Sequence, residues 1–215
     1  MSGQAAVARD FVQRALELAM AHQLKREAAI AYRRMANIRE YDSDYAGERE
    51  GHLHAIALCR KQDETESEQS CLACLSYVFF RTGEWKRALA TTKDVMADPN
   101  THPALKAGAL GVQSMIAAFR GENRQALVGL EEARVGMRRY GVLVLEFHLL
   151  WARAFALESE GDKEGAASTY LRMLDLWEDT DDRHFGGLCT PNGLSSLNDS
   201  VEPRQMSLIT DILHK

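Results

Sequence analysis

Two cysteines stand three apart in Cys71-Leu72-Ala73-Cys74, a spacing that raises two kinds of chemistry. A zinc site would need further ligands, and only Cys59 and Cys189 remain, neither in a paired motif. A redox pair usually opens a helix after a strand, and no strand pattern precedes this one. Small side chains packed between helices account for the pair better. His52-Leu53-His54 puts its rings on different faces of a helix, because residues two apart do not face each other. No chelate is expected there, and both rings are expected at the surface. Asp179-Thr180-Asp181-Asp182-Arg183-His184 has the acidity of a calcium loop but not its glycine or its closing carboxylate. A solvated helix exit is the expectation. No phosphate-cradling glycine loop, nucleophile elbow or paired-histidine zinc motif is present. The residues point to a non-enzymatic chain with no metal and no cofactor.

What the sequence does specify is the scaffold. Leu72, Leu75, Ser76, Phe79 and Phe80 fall on one helical stripe, and Trp85, Ala88 and Val95 fall on another. Gly83 stands between them, where a residue without a Cβ takes positive φ cheaply. Pro99 closes the second helix. Ser76 and Ala88 are small so that the two helices can approach, and Phe79 and Trp85 fill the space around them. Such a hairpin cannot bury its apolar face alone, so similar hairpins stack. The expected fold is therefore all-α, an α-solenoid of stacked antiparallel helix pairs.

This pattern resembles the tetratricopeptide repeat (TPR), whose large, small, aromatic, glycine, aromatic and alanine positions fall on Leu72, Ser76, Phe79, Gly83, Trp85 and Ala88. Weaker copies are centred on Gly121 (Leu110, Ser114, Ala117, Ala126, Leu130, Ala133) and on Gly161 (Leu150, Ala154, Leu157, Ala166, Tyr170, Met173). Their spacing is near-constant and a little longer than the ~34 residues usual for the family. An upstream copy around Ser43-Asp44-Tyr45 keeps Tyr32, Ala36 and Ala55, but has Ser43 for the glycine and Glu48 for the alanine. Within this reading, residues 1–185 form a TPR-like domain. It comprises a leading half-repeat over 4–23 and pairs over 25–60, 67–98, 104–140 and 142–178. Residues 186–215 form a divergent tail or a capping helix, with Met206, Ile209, Ile212 and Leu213 on one side of the stretch 203–214. The half-repeat makes the chain read as if it begins in mid-repeat.

In that family the first helix of each pair lines a groove. The resemblance places Asn37, Tyr77, Phe80, Arg81, Met115, Phe119, Trp151, Phe155 and Glu158 at groove positions. Aromatic and arginine side chains are the usual anchors of binding surfaces, so a protein or peptide partner is implied. The competing reading of the same rings is packing between repeats. A closed pocket at Tyr77, Phe119 and Trp151 would instead make a small-molecule sensor. The stretches 84–89, 174–179 and 182–185 also resemble the helical-repeat region of large bacterial LuxR-type ATP-binding regulators. That likeness implies a sensing module in transcription regulation.

Composition narrows the partners. The net charge of −5 gives no general basic footprint for direct nucleic-acid or membrane binding. The most apolar stretch, 141–157, is interrupted by Glu146, His148 and Arg153, so no membrane span is expected. The N-terminus lacks a basic segment followed by an apolar one, so no signal peptide is read. Four cysteines without paired spacing point to a reducing, cytoplasmic setting. Open repeat ends leave room for a homo-oligomer.

Overall fold

The computed structural model describes residues 2–42, 44–142 and 145–180. Ser43, the acidic stretch after Thr180, Cys189 and the tail helix considered over 203–214 lie outside the described residues. Among the described residues the structure is helical throughout, with no strand. The chain divides into two compact units, Met1–Val112 and Gln113–Lys215.

The first unit contains α1 (Ser2–Ala21), α2 (Lys25–Tyr41), α3 (Tyr45–Arg60), α4 (Thr65–Arg81), α5 (Trp85–Ala97) and the start of α6 (Pro103–Phe119). From α1 to α5, each helix packs on the one that follows it. The second unit contains the end of α6, α7 (Asn123–Arg139), α8 (Glu146–Ser159) and α9 (Lys163–Thr180), with α7 packed on α8 and α8 on α9.

One turn geometry recurs along the chain. Gly83 has φ 77°, the N–H of Glu84 donates to Phe79 O at 2.8 Å, and the N–H of Gly83 donates to Phe80 O at 3.1 Å. This is the paired closure that satisfies the last carbonyls of a helix through a left-handed residue. The same two bonds recur at Gly121 and Gly161. Gln23 and Asp63 hold the same conformation, each with φ 56°, without being glycine. The acidic stretch 61–70 reads in the sequence as a solvated linker that runs into the next helix, and the structure starts α4 within it, at Thr65. A left-handed Asp63 ends the α3 exit in a single residue, and Glu66 and Glu68 suit the positive end of the new helix.

Small residues sit where helices close on one another. Ser76 and Ala88 are both wholly buried, as are Ala126 and Ala166. The Ser76 hydroxyl is satisfied by donating to Ala73 O at 2.7 Å. At Gly51, α3 approaches α2 closely, since a Cβ there would stand 3.0 Å from Ala36 Cβ and 3.2 Å from Tyr32 O. The α5–α6 connection follows proline rules. Asp98, ahead of Pro99, is extended, and Pro103 opens α6.

The core of the second unit is Phe147, Leu150, Ala154 and Leu157 of α8 against Ala166, Tyr170, Met173 and Leu174 of α9. The broad apolar face of α1 is covered only in part. Ala19 is buried and Val12 and Leu16 are half-buried, while Phe11 and Leu18 are exposed. No helix among the described residues is long and apolar enough to cross a membrane.

Candidate functional site

In the first unit, Arg81 at the end of α4 gathers two tyrosines. Its guanidinium lies over the Tyr45 ring at 5.0 Å and the Tyr77 ring at 5.7 Å. It donates to Tyr77 Oη at 2.9 Å and also to Tyr45 Oη. Stacking and hydrogen bonding together fix the guanidinium plane. Burial pushes the Tyr77 phenol well above its ordinary range, against the opposing pull of Arg81. Phe80 packs 6.0 Å from Tyr77, centroid to centroid. Tyr77 and Phe80 are enclosed, at 5% and 6% exposure. A partner approaching this face therefore meets the half-buried Arg81 before either ring. Asn37 is half-buried on α2.

On α3 the sequence hides two ionisable groups, one of them within reach of the Arg81 charge. Glu48 stands where the repeat wants alanine and is 2% exposed. Burial raises its carboxyl to about 7, with Arg81 pulling the other way and Asp44 adding to the rise. One helical turn on, His52 is wholly buried, and neither ring nitrogen has a hydrogen-bond partner. Its Nε2 stands 3.8 Å from Glu48 Oε1. Burial lowers the imidazole to about 4. His52 is therefore not a surface histidine. It shares the inner stripe of α3 with Glu48, Ala55 and Cys59, whereas His54 is exposed. A glutamate interrupting that stripe was the available signal. Neither group has the exposure to touch a substrate.

The cysteines behave as packing groups. Burial pushes the Cys71 and Cys74 thiols up to about 12, so they stay protonated and unreactive near neutrality. No group of three or more His, Cys, Asp or Glu among the described residues is arranged to hold a metal.

In the second unit three rings meet. Phe119, the last residue of α6, lies 5.0 Å from Trp151 and 4.8 Å from Phe155, in tilted arrangements at 49° and 39°. All three are half-buried, so each offers a face to solvent as well as to its neighbours. Trp151, Phe155 and Glu158 follow one another at i, i+4 and i+7, which aligns them on one side of α8. Tyr170 of α9 donates to Glu158 Oε2 at 3.2 Å, tying that carboxylate to α9. Met115 is wholly buried one turn back along α6 and serves as packing.

A further charged cluster of this unit is not read from the sequence. Glu146, 2% exposed at the start of α8, accepts from Arg138 Nε at 2.7 Å, while Arg134 and Arg172 approach the same oxygen at 3.6 and 3.7 Å. Glu146 was visible only as a charge breaking the most apolar stretch of the chain.

Comparison with known proteins addresses the fold. The chain is similar to the nearly identical TPR-like repeats of a Podosopora anserina protein named for kinesin light chain. A single-substitution form of it matches with a TM-score of 0.50 and 15% identity, over 84% of this chain and 95% of that chain. The unsubstituted form matches with a TM-score of 0.48 and 16% identity, over 85% and 96%. At such identity the likeness is one of fold alone: an all-α solenoid of TPR-like helix pairs. No family model matches the chain, and no curated protein matches it.

Proposed function

We propose that the chain is a non-catalytic protein–protein interaction module. It holds a peptide or partner helix against the side of α8 that carries Trp151, Phe155 and Glu158, with Phe119 beside them. The observation that carries this reading is the trio of half-buried rings. Packing alone would enclose them, as it encloses Tyr77, Phe80 and Met115, whereas these rings keep a solvent-facing side. Rigid aromatic side chains at the margin of a core give large contact area at small entropic cost. Arg81, pre-oriented by its two tyrosines, supplies a second anchor in the first unit. TPR-like repeats generally work in this way, and the likeness to LuxR-type regulators extends the proposal to a sensing role inside a cytoplasmic transcription regulator.

The test uses capture from cell lysate by the full chain and by Trp151→Ala and Phe155→Ala variants whose circular dichroism matches the original. Loss of an anchor ring is expected to weaken the captured partner by about 30-fold, the consequence of ~2 kcal/mol at a binding hot spot. A partner retained equally by both variants would remove the aromatic face from the account.

A further inference from the structure

Tyr45, Glu48 and His52 stand at i, i+3 and i+7 of α3, so they share one side of that helix. α4 packs against α3. At the end of α4, Arg81 rests on the first of the three, donating to Tyr45 Oη with its guanidinium 5.0 Å from the ring centroid. Its other support, Tyr77 Oη at 2.9 Å, belongs to α4 itself. Glu48 follows Tyr45 one turn along α3. Its carboxyl is enclosed and accepts no hydrogen bond among the described residues, since His52 Nε2 at 3.8 Å stands beyond hydrogen-bond reach. Glu48 makes no ion pair with Arg81, yet among the nearby charges Arg81 acts on this carboxyl most.

A carboxyl so placed favours its neutral form, because a buried carboxylate without donors is costly. Burial accordingly raises Glu48 to about 7. Its proton can point at His52, whose ring is held neutral there and whose nitrogens have no partner. Once that proton leaves, the carboxylate lies enclosed with the Arg81 guanidinium one turn away. The other groups facing the pair are already committed or do not titrate in this range. From α2, Arg33 donates to Ser70 Oγ at 3.0 Å, and Arg39 stands 3.9 Å from Asp44. Asp44 caps α3 by accepting from Gly47 N. From α4, burial holds the Cys74 thiol up at about 12 and the Tyr77 phenol higher still. Glu40 of α2 is the remaining carboxyl that acts on Arg81.

We propose that Glu48 is a proton-controlled latch on Arg81. With Glu48 neutral, the guanidinium stays on Tyr45 and Tyr77. With Glu48 ionised, the guanidinium turns along α3 onto the carboxylate and gives up Tyr45. The proton passes to solvent, and no other group of the cluster changes charge. The exchange replaces a neutral acceptor by a charged one, whose hydrogen bonds are roughly twice as strong. Arg81 is the second anchor of the proposed interaction module, so partner binding at that anchor falls as pH rises through the Glu48 titration. That consequence alone rests on the interaction reading; the latch itself does not.

The experiment follows the Arg81 side chain by NMR in the full chain carrying isotope-labelled arginine, without a partner, from about pH 5.5 to about pH 8.5. Arg81→Lys assigns the Nε–Hε signal. A single step in its chemical shift is expected, with a midpoint near the Glu48 value of about 7. Glu48→Gln should hold the signal at its acid position. Glu48→Ala restores the residue that the repeat pattern has there, and it should remove the step as well. Circular dichroism checks the fold of both. Glu40→Gln should keep the step. No step in the original chain would overturn the proposal. So would a step that survives either Glu48 variant, or one lost in Glu40→Gln, since another carboxyl would then be the titrating group. The signal is read on the chain alone. Failure of the module to hold a partner therefore leaves this result standing, and a missing step leaves the aromatic side of α8 standing.

Discussion

Glu48 and His52 give the residue scale its clearest test, because their titrations oppose each other. The Glu48 carboxyl moves from its usual 4.5 to about 7 in the fold, so the folded chain holds that proton more tightly. Its contribution to stability is complete below about pH 4.5 and is lost as pH rises through 7. His52 moves from 6.5 to about 4, so the folded chain resists that proton. Its contribution is present above pH 6.5 and is lost as pH falls through 4. Across this shared window the two slopes, each at most about 1.4 kcal/mol per pH unit, largely cancel. Denaturant unfolding between pH 4 and 7 should therefore show little net dependence from this pair in the original chain. Glu48→Gln should expose a stability that rises with pH, and His52→Leu one that falls with pH. Parallel slopes in the two variants would contradict the assignment. The sequence did not reveal this pair. His52-Leu53-His54 says that two rings diverge, but not which one faces inward. That depends on how closely α2 approaches at Gly51. Glu146 belongs to the same scale. Glu146→Gln leaves Arg134, Arg138 and Arg172 around a neutral amide and should cost about 3 kcal/mol in chemical denaturation.

The helix turns carry the predictions that belong to elements. Gly121 has φ 79° with open space around its missing Cβ, so Gly121→Ala pays only the conformational cost of a left-handed residue. A loss of about 1 kcal/mol in thermal unfolding is expected. Gln23 holds the same conformation without being glycine, so Gln23→Gly should have the opposite sign and stabilise by a few tenths of a kcal/mol to about 1. Equal and same-signed effects at both turns would mean that the left-handed conformation is not what limits them. This scale was the most legible. Gly83, Gly121 and Gly161 announce their turns, and Ser76, Ala88 and Ala166 announce the close approaches. The start of α4 was less so, because Asp63 turns the chain with a residue that composition assigns to a solvated linker. Capping varies from turn to turn as well. Asp44 caps α3 by accepting from Gly47 N at 2.9 Å and Asp162 caps α9 by accepting from Gly165 N at 2.9 Å, while α2, α4, α5, α7 and α8 have no side-chain cap.

At the scale of the molecule, repeat periodicity shows which face of each first helix could point outward, but not how fully the neighbouring helices cover it. Tyr77, Phe80 and Met115 hold groove positions by family pattern and are nevertheless enclosed. Phe119, Trp151 and Phe155 hold the same kind of position and remain half-open. The difference lies in packing between helices, which a single sequence does not encode in any short motif. The cluster on Glu146 was missed for a related reason. Arg134, Arg138 and Arg172 approach one carboxylate oxygen only once α7, α8 and α9 are packed. The central claim is that the open rings of the second unit hold a polypeptide partner. The most direct measurement is quantitative capture from lysate by the original chain beside the Trp151→Ala variant at matched helicity. The account predicts a specific protein held by the original and lost by the variant. Capture that survives Trp151→Ala undiminished, or no specific protein held by either chain, would contradict it.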